Sequence, residues 1–71
     1  VLTIAELRVA MRPIHAHYGP VVQQRNMIDA LKQCGMAPPA DPGGGVSAYN
    51  DVLIRAIRDE IFRRENYFTE V

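Results

Sequence analysis

Tryptophan is missing from this chain, and cysteine and lysine each occur once. A single Cys34 cannot close an intramolecular disulfide, which removes the staple most often used by small domains. That matters at 71 residues, because a core this small supplies only about 3–5 kcal/mol of stability. Self-association or docking on a partner is therefore expected before any motif is considered. An excess of either charge is also lacking: eight basic and eight acidic side chains cancel, so no net field draws in nucleic acid or anionic lipid. No apolar run approaches the roughly 18 residues of a membrane span, and no basic segment precedes an apolar stretch in the manner of a secretory leader. A lone thiol and no leader point to a cytoplasmic or otherwise intracellular protein. The first residue is Val1 rather than Met, which suggests an excerpt or processed piece of a longer protein.

What is present reads as globular and helical. Apolar residues make up 48% and charged residues 23% of the chain, too apolar for disorder. Thr3-Ile4-Ala5-Glu6 forms a capping box, with Leu2 and Leu7 placed as its hydrophobic staple. Ile4, Leu7, Met11, Ile14 and Tyr18 then follow a 3,4,3,4 spacing that predicts a helix over 4–18. Pro13 must kink or break it, since it lacks an amide donor and clashes with the carbonyl of Val9. Gly19-Pro20 ends the first helix and starts a second over 20–34. Its inward stripe is read as Gln24, Met27, Ile28, Leu31 and Cys34. Gly35 fits the left-handed C′ position, with Met36 and Leu31 as the apolar pair of a Schellman stop. A Pro/Gly loop spans 37–45, and Ser47 is placed to cap a third helix over 48–65. The expected fold is an all-α, compact three-helix domain occupying 1–71.

The third helix carries more apolar surface than a surface helix needs. At about 100° per residue, Tyr49, Val52, Leu53, Ile54, Ala56, Ile57 and Ile61 cover more than half of its circumference. Either this helix lies centrally between the other two, or part of its face is buried by a partner. Glu60 and Arg64 share the face of Leu53 and Ile57, a pattern that suggests the helix outruns its core. Ile61, Phe62, Tyr67 and Phe68 would then form an apolar-aromatic cluster on a projecting end; otherwise Tyr67 and Phe68 fold back on the first helix. Asp51, Arg55, Asp59 and Arg63 form a ladder of four-residue steps, with Glu60 and Arg64 as a parallel pair, acid before base in the favourable order.

Other chemistries find little support. His15 and His17 lie about 200° apart on a helix and cannot share a metal unaided. The segment Asp41-Pro42-Gly43-Gly44-Gly45-Val46-Ser47 lacks the Lys-Ser/Thr of a P-loop. Counted as an EF-hand loop from Asp41, it has Val46 and Val52 where Gly and Glu are required. Cys34 has no activating base at a recognisable spacing, and no pair of carboxylates stands apart from the ladder. No enzyme activity, cofactor or metal is expected.

The predicted function is protein-protein interaction or oligomerisation, as a homodimer or a docking subunit. The expected contact residues are Tyr49, Leu53, Ile57, Ile61, Phe62, Tyr67 and Phe68, with Arg58 and Arg64 orienting the partner through charge pairs. The alternative is a helix-turn-helix-like DNA-binding domain in which Gln23, Gln24, Arg25 and Asn26 read base edges. Against it, phosphate binding needs clustered basic residues, and only Arg12, Arg25 and Lys32 lie near that stretch.

Overall fold

The computed structural model describes residues 2–13 and 19–70, with side chains as far as residue 67. Three helices make up its regular structure: α1, Ile4–Ala10; α2, Gly19–Gln33; and α3, Val46–Glu70. The described residues hold no strand.

Each helix boundary has a local cause. At the start of α1, the Glu6 amide donates to Thr3 Oγ1 (3.1 Å) and the Thr3 amide donates to Glu6 Oε1 (3.0 Å), completing the capping box. These bonds hold the Glu6 carboxyl below its usual pKa, the one from the Thr3 amide contributing most. The helix stops at Ala10, short of the expected 18. A residue before proline is disfavoured in the α region, and Pro13 has no amide to offer the Val9 carbonyl. The Arg12 amide donates to Val9 O instead, at 3.1 Å, as a tighter last turn. The expected helical positions Ile14, His15, His17 and Tyr18 lie outside the described residues.

The α2 stop follows the Schellman pattern. Gly35 has φ +77°, the Met36 amide donates to Leu31 O (3.0 Å), and the Gly35 amide donates to Lys32 O (2.9 Å). The start of α3 differs from expectation: Ser47 lies inside the first turn, and the Tyr49 amide reaches back to Gly45 O at 3.2 Å. Gly45, at φ +97°, occupies the cap because its missing Cβ lets the chain enter from the left-handed region.

The core is built from all three helices. Leu7 comes from α1, Met27, Ala30 and Leu31 from α2, and Leu53, Ile57 and Ile61 from α3. Leu7, Met27, Leu31, Leu53 and Ile57 are wholly excluded from solvent, each contributing about 1.5–3 kcal/mol by burial. The main packing is α2 on α3, with α1 against both. At about 1.5 Å per residue α3 is about 37 Å long and accounts for most of the longest dimension of the 43 × 24 × 16 Å domain.

The α2 stripe is rotated from the one read in the sequence. Gln23 rather than Gln24 is buried, and its Nε2 donates to Met11 O at 2.7 Å. Early termination of α1 leaves carbonyls without helical donors, and Gln23 satisfies one. Two side chains hold the connections in place: Asn50 Nδ2 donates to Pro20 O (3.0 Å) and Tyr49 OH donates to Pro39 O (2.7 Å). The loop after α2 is thus fastened at its proline half.

Candidate protein-docking surface

The inward face of α3 continues through its polar residues. Glu60 is buried, where an unpaired carboxylate would be costly. Arg63 Nη2 bonds to both of its carboxylate oxygens, and Arg64 Nε donates to Oε1 at 3.3 Å. The Arg63 bond is the main cause holding the Glu60 pKa below the usual range, against burial that pushes it up. Arg64 also donates through Nη1 to Leu2 O and through Nη2 to Cys34 Sγ at 3.2 Å. One guanidinium therefore ties α3 to the start of α1 and the end of α2.

This geometry corrects the sequence-based interface at several positions. Leu53, Ile57 and Ile61 are buried in the chain's own core and are not available to a partner. Tyr49 is half-buried and spends its hydroxyl on Pro39 O. Arg64 is not a rim charge, since its side chain is 20% exposed and pairs with Glu60. The physical reason is that α1 lies beside this half of α3, joined by Arg64 and by an Arg8–Glu65 ion pair of 3.1 Å. The helix does not outrun its core at Ile57.

What remains outward is narrower. Phe62 and Tyr67 are each 68% exposed, and Arg58 is exposed. The side chain of Phe68 lies outside the described residues. A shallow depression between Thr3, Ile4, Arg63, Arg64 and Tyr67 adjoins a second one between Phe62, Arg63, Asn66 and Tyr67. Ile4 and Thr3 were not marked by the sequence as surface residues of interest. Only the packing of α1 beside α3 brings them next to Tyr67.

The four-residue ladder also differs from expectation. Arg63 turns to Glu60, three residues back, rather than to Asp59. Asp51, Arg55, Asp59 and Arg58 make no ion pair among the described residues. In the alternative nucleic-acid set, Gln23 is engaged with Met11 O and Gln24 is half-buried, leaving Arg25 and Asn26 exposed. Among the described residues no three potential metal ligands cluster, and no helix is long and apolar enough to cross a membrane.

Fold and surface together define an all-α three-helix domain with an exposed aromatic edge on its longest helix. No family model, curated protein or solved structure matches the chain.

Proposed function

We propose that this domain is a protein-association module that docks through the outward side of α3, with Phe62 and Tyr67 as its apolar anchors. The reading is supported chiefly by one observation: α3 completes its core face without these two rings, which stay 68% exposed. Exposed aromatic side chains are the type that anchors protein interfaces. Arg58, one helical turn before Phe62 and about 40° from it around the helix, orients the partner by charge.

A photo-crosslinking residue placed at Phe62, in cells that make the protein, tests this. The expected result is a discrete adduct that excess purified wild-type chain competes away and the Phe62→Ala/Tyr67→Ala chain does not. Absence of an adduct at position 62, or an equal one from a probe at Val21 on α2, would sink the proposal. The adduct's mass identifies whether the partner is another protein or the chain itself.

A further inference from the structure

Resting on that docking reading, we infer that α1 is a latch for the same surface, opening as a unit while α2 and α3 stay packed. When closed, it supplies one wall of the depression beside Tyr67. Thr3, the cap of α1, and Ile4, its first residue, form that wall, and Arg63, Arg64 and Tyr67 of α3 form the rest. A partner side chain seated against Tyr67 touches both helices only while α1 is closed. With α1 away, the ring loses its wall and the partner loses half of its seat.

Several features make α1 the part of the fold that opens first. It spans only Ile4–Ala10, and a helix so short does not persist in water without packing. Leu7 is its one member of the buried cluster, whereas Met27, Ala30, Leu31, Leu53, Ile57 and Ile61 all belong to α2 and α3. Leu2, Ile4, Ala10 and Met11 are only partly buried against that cluster. Two bonds join α3 to either end of α2 without passing through α1: Asn50 Nδ2 donates to Pro20 O, and Arg64 Nη2 donates to Cys34 Sγ. Segments with few buried apolar contacts are those that open locally, at less cost than global unfolding.

The ties that close the latch sit at its ends and on its surface. Arg64 Nη1 donates to Leu2 O, and Gln23 Nε2 donates to Met11 O at 2.7 Å. The Arg8–Glu65 pair joins side chains that are each more than half exposed, where an ion pair contributes little. Arg64 couples the latch to the surface directly, since it both holds Leu2 and lines the depression.

Amide hydrogen exchange of the full chain in increasing urea resolves the opening. The amides of Arg8, Val9 and Ala10 should be protected only about 30-fold, and those of Met27, Leu31 and Ile57 at least about ten times more, with a steeper urea dependence. Arg8→Pro breaks α1 at an exposed position and raises its open population about a hundredfold, leaving Phe62 and Tyr67 untouched. Circular dichroism of that chain should lose no more helix than α1 contributes. Its photo-crosslinked adduct at position 62 should fall about fourfold, as the closed fraction does. The Arg8→Gln chain, which loses only the exposed ion pair, should keep the adduct. One protection factor and one urea slope for all three helices overturn the latch, and so does collapse of the whole helical signal in Arg8→Pro. An undiminished adduct in a folded Arg8→Pro chain overturns it equally. A wild-type chain with no adduct at position 62 rejects the docking reading, and the gating of that surface with it, even where α1 exchanges early.

Discussion

Glu60 is a carboxylate enclosed by the core, and its arginine partners keep it charged there. Its folded pKa lies below the ordinary glutamate value of 4.5, so on acidification the unfolded chain binds the proton first. The stabilisation is complete above about pH 4.5 and is lost as the pH falls through the lowered folded value. Thermal melts should therefore show the wild type losing stability below pH 4.5 more steeply than Glu60→Gln, with a residual slope from Glu6, whose pKa is shifted in the same direction. At neutral pH, Glu60→Gln should cost about 1–3 kcal/mol. The partners left behind remain 74% and 20% exposed, so solvent relieves part of their unpaired charge. Equal acid slopes for the two chains would show that Glu60 gains nothing from its enclosure. The Glu60–Arg64 spacing was visible in the sequence. Its burial was not, because Arg64, which pairs with it, is itself held by Leu2 O and Cys34 Sγ, on segments distant in the sequence.

At the scale of the helix, the two faces of α3 should respond in opposite ways to truncation. Ile57→Ala removes a side chain with no exposure and should cost about 2–5 kcal/mol of folding free energy. Phe62→Ala should change monomer stability by less than about 0.5 kcal/mol, as surface substitutions do. Urea titration in dilute solution measures both, and a Phe62→Ala loss near that of Ile57→Ala would place the ring in the core. Local signals made several helix ends legible: the Thr3–Glu6 box and the Gly35 stop both rest on residues within one turn of each other. Pro13 and Ser47 were less legible, since kinking competes with termination and a serine cap competes with a glycine two residues earlier. The length of α3 also exceeded the sequence reading, which ended near 65 where the apolar pattern thins.

For the molecule as a whole, charge balance and the engagement of Gln23 argue against duplex recognition by α2. Fluorescence anisotropy of a labelled duplex, titrated with the chain at low salt, should show no binding at protein concentrations up to about 10 µM. Tight non-specific binding with a steep salt slope would instead reveal clustered phosphate contacts. Such a result would return attention to Arg25 and Asn26, the exposed members of that set.

Three helices, the proline-glycine connector and most of the apolar stripes were determined by the sequence alone, since each depends on spacing or on residues close together in the chain. The division of α3 into core and surface was decided only by tertiary structure. Its wide apolar arc fitted a central helix as well as a partner-bound one, and periodicity carries no information about which neighbour covers a face. Packing of α3 against α2 and α1 settles that for Leu53, Ile57 and Ile61, which lie in the cluster shared by all three helices. Phe62 stays outside because, at about 100° per residue, it lies on the side of α3 away from both neighbours.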